Sequence, residues 1–199
     1  MTGRPVPVLV GVAQELLSVL QNAGIDACVI GGLAVLRWGQ PRATADVDVS
    51  VLAPYGEEAR VLDILLGRYA PRGPGALEFA QSNRVLLITT SSGVPIDVAL
   101  AAFPFEIEAL HAASSWEATP GVFLNTCAAE DLVVYKLVAA RPQDLIDVEG
   151  IVRRQVTGLD VERIREWGRM LADLKEDPDF LQQFEAALRR ARLRIPPNP

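Results

Sequence analysis

Histidine is the scarcest informative residue of this chain, since His111 is the only one among 199 residues. A site that needs several imidazoles is therefore excluded, and so is an HExxH metalloprotease, which places two histidines on one helix face. A Ser-His-Asp triad is disfavoured for the same reason. Any chemistry has to rest mainly on other side chains.

Cysteine is almost as scarce. Cys28 and Cys127 are the only two, they lie far apart in the sequence, and they lack CxxC spacing. The sequence therefore indicates neither a zinc site nor a disulfide framework. We expect both residues to be buried free thiols.

Long apolar runs and an excess of positive charge are also missing. The mean hydropathy is high at +0.21, but no apolar run approaches the ~18 residues that a membrane-spanning helix needs. Pro7 interrupts the apolar stretch near the N-terminus, so we expect no cleaved signal peptide, no membrane partner and a cytoplasmic location. The net charge of −6 argues against a general nucleic-acid binder and leaves room only for a local basic surface.

Hydrophobic periodicity divides the chain into two parts. In residues 1–125, helical patterns at 8–23, 33–38, 57–69 and 106–113 alternate with β-rich runs at 26–30, 46–52, 84–90, 94–101 and 122–125. In residues 126–199, the pattern is helical at 128–140, 143–156, 161–174 and 180–192, and a proline-rich tail at 195–199 is expected to fray. The sequence predicts an α+β fold: a small mixed β-sheet flanked by helices, followed by a C-terminal helical bundle that packs on this core.

The most informative stretch is Asp46-Val47-Asp48. Side chains alternate along a strand, so both carboxylates are expected on one face, with valines on the other. Two carboxylates that lie close together repel each other unless a cation sits between them. Gly31 and Gly32, upstream, offer bare backbone N–H groups that could hold phosphate. The pattern indicates a magnesium–nucleotide site.

Asp97 is a lone charge in an apolar β-rich run. Placed beside the strand of Asp46 and Asp48, it would complete a cluster that can hold two divalent cations about 3.5–4 Å apart. It could also act as general base toward an acceptor hydroxyl. The alternative is an edge-strand aspartate that discourages aggregation.

A second group of charged residues lies in the helical part. Lys136 is embedded in an apolar helix, where a cation is costly unless it reaches a partner. Asp144 and Asp147 are spaced i, i+3 on the next helix and point the same way. Either a Lys–Asp pair holds the two helices together, or Lys136 contacts a triphosphate while Asp144 or Asp147 orients it.

Together, these motifs resemble those of a known protein superfamily. Gly31-Gly32, then Arg42-x-Thr44-x-Asp46-Val47-Asp48, then a lone Asp97 resembles the nucleotidyltransferase fold of the DNA polymerase β superfamily. More narrowly, the chain resembles the AbiEii-type minimal nucleotidyltransferases, known as toxins of AbiE-like toxin–antitoxin systems, over residues 27–151. The usual Gly-Ser opening is here Gly-Gly, so phosphate contact would rest on backbone N–H groups. Lys136, Arg141, Asp144 and Asp147 match a lysine and an Arg-x-x-Asp-x-x-Asp-like segment of the AbiEii-like families.

The resemblance implies a metal-dependent transfer of an NMP from an NTP to an acceptor hydroxyl. The acceptor would be an RNA 3′ end, a protein side chain or a small molecule, and a toxin would have a cognate antitoxin as partner. Mg²⁺ or Mn²⁺ would be held by Asp46, Asp48 and Asp97, and the catalytic set would add Lys136. The nucleotide would be bound by a larger set: Gly31, Gly32, Arg42, Thr44, Lys136, Asp144 and Asp147. The helical region would close the nucleotide site.

Two other functions stay open at this point. A nucleotide-binding or interaction module on the same fold would have lost turnover, although all three aspartates are present. A carboxylate-bridged metal phosphohydrolase fits the acidic cluster but leaves the glycine turn without a role.

Overall fold

The computed structural model describes residues 5–193, so Arg194 and the proline-rich tail lie outside the described residues. The chain divides into two compact units. The first comprises Met1–Leu33 and Ala43–Cys127, and the second comprises Ala34–Arg42 and Ala128–Pro199.

Residues 6–126 form five helices and seven strands. They are α1 (Val6–Asn22), β1 (Ala27–Val29), α2 (Gly31–Trp38), β2 (Val47–Leu52), α3 (Glu58–Leu66), β3 (Ala70–Pro71), α4 (Ala76–Asn83), β4 (Val85–Thr89), β5 (Pro95–Ala101), α5 (Pro104–His111), β6 (Ser114–Thr119) and β7 (Val122–Thr126). The boundary between the units falls inside α2, whose first three residues belong to the first unit and the rest to the second.

The strands form one mixed sheet in the order β3-β4-β5-β2-β1-β7-β6. β2 runs parallel to β5 and β1 runs parallel to β7, while the other neighbours are antiparallel. The predicted α+β class with a mixed sheet flanked by helices is confirmed. Strand alternation explains the buried face, because Val47, Val49 and Val51 of β2 are fully buried.

Three elements were not predicted from the sequence. β3 is only two residues long, α4 follows the loop around Gly75, and β6 pairs with β7 at the edge of the sheet. The residues of β6 are exposed or half-buried, so the strand carries no apolar alternation that a sequence reading could detect. The predicted hairpin of β4 and β5 is confirmed.

The second unit is helical apart from its loops. α6 (Ala129–Ala139), α7 (Pro142–Gln155), α8 (Val161–Lys175) and α9 (Gln182–Arg192) begin and end within two residues of the predicted bounds. α7 contacts both α6 and α9, and α8 contacts α6. Within residues 5–193, no helix combines the length and apolar character needed to cross a membrane.

Candidate active site

Asp48 and Asp97 lie opposite each other on neighbouring strands. In the parallel pairing of β2 with β5, the two residues are register partners. The apolar residues on either side of each aspartate are fully buried, whereas the two aspartates are half-buried. Their carboxylates therefore project from the same face of the sheet, about one strand spacing, or ~4.8 Å, apart at the backbone.

Asp46 lies one residue before β2 and is held by a nearby threonine. The Oγ1 hydroxyl of Thr44 donates a hydrogen bond of 2.9 Å to Oδ1 of Asp46. Thr44 is itself buried, at 7% exposure, so its hydroxyl has a fixed position. Thr44 thus orients the first carboxylate of the acidic motif.

The glycine pair at the start of α2 packs against these side chains. Gly31 has a φ of +60°, and a Cβ on it would lie 1.9 Å from Oδ2 of Asp48. A Cβ on Gly32 would lie 2.3 Å from Oγ1 of Thr44. The N–H of Gly32 donates to Oδ2 of Asp48 at 3.3 Å. Only glycine allows this close approach, so the pair shapes the acidic site.

Arg72 is a site residue that the sequence reasoning missed. Its Nη2 forms an ion pair and hydrogen bond with Oδ1 of Asp97. The residue sits in a loop rich in proline and glycine, where no periodicity links it to the acidic strands. Only the pairing of β3, β4 and β5 brings it within reach of Asp97.

The acidic residues fit a hard divalent cation by their chemistry, because carboxylate oxygens are the ligands that Mg²⁺ prefers. Between residues 5 and 193, however, no group of three or more His, Cys, Asp or Glu side chains is gathered closely enough to hold a metal ion. Thr44 holds Asp46 and Arg72 holds Asp97, while the backbones of Asp48 and Asp97 are already in register. The strands thus bring the backbones of the aspartates close together, and the carboxylates would have to rotate to bind one metal ion jointly.

The second unit contains a buried ion-pair cluster. Lys136 on α6 is 5% exposed, and its Nζ lies 2.8 Å from Oδ1 of Asp144 and 2.9 Å from Oδ2 of Asp147 on α7. Both aspartates are almost fully buried. The pairing links the two helices, which is one of the two roles that the sequence predicts for Lys136.

Two arginines complete the cluster. Arg42 makes a bidentate contact with Asp147, with both N–O distances at 2.8 Å. Arg141 Nε donates to Oδ2 of Asp144 at 2.6 Å. Arg42, predicted to bind nucleotide, is thus engaged with a carboxylate of its own unit, and the nucleotide roles of Arg42 and Lys136 stay predictions.

The two buried aspartates are kept ionised by these cations. Burial acts to raise the pKa of Asp144, but hydrogen bonds and charge attraction from Arg141 and Lys136 outweigh it and lower the pKa below its usual range. Burial also acts to raise the pKa of Asp147, but the hydrogen bonds from Arg42 and Lys136 outweigh it and lower this pKa below its usual range. Both carboxylates are therefore anionic at neutral pH.

These lowered pKa values predict how stability depends on pH. A carboxylate with a lowered folded-state pKa stabilises the fold above its unfolded-state pKa of about 3.9, and this contribution is lost as the pH falls through the folded-state value. The difference in unfolding free energy between the natural chain and Asp147→Asn should stay constant from pH 7 to about 5 and shrink below about 4. Urea unfolding at several pH values measures it, and a difference that already shrinks between pH 7 and 5 would contradict the assignment.

Comparisons with known proteins bear on the fold. No family model matches the sequence, and no curated protein matches it. The structure is similar to the crystal structure of an antigenic nucleotidyltransferase-like protein from Paracoccidioides brasiliensis, with a TM-score of 0.51 and 14% identity over 91% of this chain and 92% of that one. The solution structure of the antibiotic-resistance factor ANT(2'')-Ia matches with a TM-score of 0.48 and 14% identity over 95% of this chain and 96% of that one.

The similarity at this level of identity concerns the fold. It agrees with the broad resemblance that the motifs suggested, while the narrower AbiEii-type assignment stays a prediction. The chain therefore has a nucleotidyltransferase-like fold, with Asp48 and Asp97 in register on neighbouring strands of its sheet.

Proposed function

We propose that this protein is a metal-dependent nucleotidyltransferase that moves an NMP from an NTP to an acceptor hydroxyl. The observation that carries the proposal is the register of Asp48 against Asp97, with the glycine pair packed against the first of these carboxylates. A solvated acidic strand face would not require glycine at two consecutive positions beside it. The fold similarity is consistent with the proposal.

The proposed chemistry assigns a role to each acidic residue. Asp46, Asp48 and Asp97 would hold Mg²⁺ or Mn²⁺, and the ion would neutralise charge on the phosphates. Asp97 takes the proton from the acceptor hydroxyl, whose oxygen forms a bond to the α-phosphorus. The bond from that phosphorus to the oxygen bridging to the β-phosphate breaks, and pyrophosphate leaves. Thr44 and the N–H of Gly32 orient Asp46 and Asp48 during this step.

The molecule that receives the NMP is a separate part of the proposal. We propose an RNA 3′ end, and a cognate antitoxin as partner, because the motif from Arg42 to Asp48 with the Gly-Gly opening resembles the AbiEii-type branch. The net charge of −6 then requires RNA to meet a local basic surface on this chain. Protein and small-molecule acceptors are alternatives that the assay below separates.

The test uses each of the four NTPs with label in the α-phosphate, together with Mg²⁺ and either total RNA or a cell lysate. We expect label to enter a macromolecule with release of pyrophosphate. Chelation of divalent ions should abolish transfer, and added Mg²⁺ or Mn²⁺ should restore it, because the carboxylates and the triphosphate repel each other without a cation. Nuclease or protease treatment of the labelled product identifies the acceptor.

Label in the γ-phosphate provides the matched control, since it must leave with pyrophosphate and must not reach the acceptor. Nucleotide binding without pyrophosphate release would contradict the proposal and favour the catalytically silent module. Release of orthophosphate would instead favour a phosphohydrolase. Transfer that persists with the metal chelated would exclude a role for the acidic residues as metal ligands.

A further inference from the structure

Arg72 belongs to a row of residues that crosses the sheet. Its backbone N–H donates to the carbonyl of Leu87 at 2.9 Å, which extends the pairing of β3 with β4 by one residue. Leu87 is the register partner of Asp97 in the antiparallel pair of β4 with β5. Asp97 is in turn the partner of Asp48. The four residues thus form one line over four strands.

The line lies on a single face of the sheet. Leu87 and Asp97 are half-buried, whereas their neighbours along β4 and β5 are fully buried on the opposite face. Arg72 and Asp97 are two strand spacings apart, roughly 10 Å at the backbone. The side chains of Arg72 and Asp97 together bridge this distance, and the guanidinium of Arg72 donates to the carboxylate of Asp97.

Electrostatics favours the ion pair between Arg72 and Asp97. Asp48 and Asp97 on adjacent strands carry like charges that repel each other, and a nearby cation relieves this repulsion. In the structure, the guanidinium of Arg72 forms an ion pair with the carboxylate of Asp97. A divalent cation shared by the two carboxylates would compete with this guanidinium for the negative charge of Asp97.

We propose that Arg72 is a positioning residue that holds the Asp97 carboxylate until a divalent cation displaces its guanidinium. The inference rests on the proposed function, because it takes Asp97 as a metal ligand. Arg72 then competes with the metal ion for one carboxylate and raises the ion concentration that the site requires. After displacement, Asp97 turns toward Asp48, as the full ligand set needs.

The experiment measures Mn²⁺ affinity of the full chain without nucleotide, by electron paramagnetic resonance of the free ion. Arg72→Gln should bind Mn²⁺ about five- to tenfold more tightly than the natural chain, because both the competing contact and a positive charge are removed. Arg72→Lys should stay close to the natural affinity, because it keeps the charge. Thermal unfolding of each variant confirms that it is folded.

Arg68→Gln is the matched control, since Arg68 is an exposed arginine of the same unit whose partner is Glu15. Its affinity should equal that of the natural chain. In an Asp97→Asn background, Arg72→Gln should have no effect, because the two residues act on one carboxylate. A similar tightening in that background would reveal a general charge effect and overturn the proposal.

The two proposals fail in different ways. If Asp48→Asn weakens Mn²⁺ binding while Arg72→Gln leaves it unchanged or weakens it, the metal site stands and the role of Arg72 is wrong. If the natural chain binds no Mn²⁺, and neither Arg72→Gln nor Arg72→Lys does, both the metal-dependent function and the inference are overturned.

Discussion

Asp48→Asn should reduce NMP transfer by roughly 10²- to 10³-fold, the loss typical of removing one group that stabilises developing charge in an active site. Asparagine has nearly the shape of aspartate and keeps one oxygen, so it can still accept the N–H of Gly32. The space that Gly31 leaves beside this side chain stays filled. The variant therefore removes a negative charge with little change in packing. Steady-state rates of label transfer at saturating NTP, measured over a range of Mg²⁺ concentrations, give the result.

Asp63→Asn is the matched control for this variant. Asp63 is an exposed aspartate on α3 in the same unit, and its replacement should leave the rate within about twofold. Thermal unfolding of both variants separates a loss of chemistry from a loss of fold. If Asp48→Asn transfers NMP within about threefold of the natural rate, Asp48 is not the metal-binding residue that we propose.

Lys136→Met should destabilise the fold by about 3 kcal/mol, because removal of one partner leaves buried charge uncompensated. Lys136 Nζ is within 2.9 Å of a carboxylate oxygen on both Asp144 and Asp147, and both side chains are 2% exposed. Arg42 and Arg141 would remain as partners, so the expected loss lies at the lower end of the usual range of about 3–5 kcal/mol. Urea unfolding at pH 7 measures the change.

Lys175→Met controls for loss of a lysine from the same unit. Lys175 is exposed; its Nζ donates to the carbonyl of Val138 and lies 5.7 Å from the centroid of the Phe180 ring, so its loss should cost about 1 kcal/mol. Adding Asp144→Asn to Lys136→Met should recover part of the stability, because it removes one of the stranded charges. A loss below about 1 kcal/mol for Lys136→Met would refute a stabilising role for the cluster.

The same variant also separates the two roles considered for Lys136. A residue that only links α6 and α7 should leave the NTP affinity of the folded protein unchanged at low temperature. A residue that also contacts triphosphate should lower it. The buried position and the two ion pairs of Lys136 show that it links α6 to α7, and the affinity measurement decides whether it also contacts triphosphate.

Local patterns were sufficient to predict most helices and the central strands. The valines at alternate positions of β2 predict a strand whose valine face is buried, and the four helices of the second unit follow from apolar periodicity and from the breaks between them. The short or exposed elements β3, α4 and β6 escaped prediction because they bury few side chains. Hydrophobic periodicity in a sequence reflects which side chains are buried. An element that buries few side chains therefore shows only a weak pattern.

The candidate site could be predicted only in part. Asp46 and Asp48 were selected from the sequence because alternation along a strand puts both carboxylates on one face, and Asp97 because it is a lone charge in an apolar strand. The sequence could not say that Asp48 and Asp97 are register partners, since register depends on how β2 and β5 pair. The partner of Asp97, Arg72, comes from a segment whose sequence predicts only a loop.

By itself, the sequence determined the residue types available for chemistry, the strand that carries Asp48 and the helix that buries Lys136, because these depend on composition and local periodicity. The tertiary structure decided which charges meet. It set Asp97 against Asp48, joined Arg72 to Asp97, and paired Arg42 with Asp147 across 105 residues of sequence. Strand pairing and helix packing bring together residues that are distant in sequence. The strength of an ion pair depends on the distance between the two charges in space, which the sequence alone does not give.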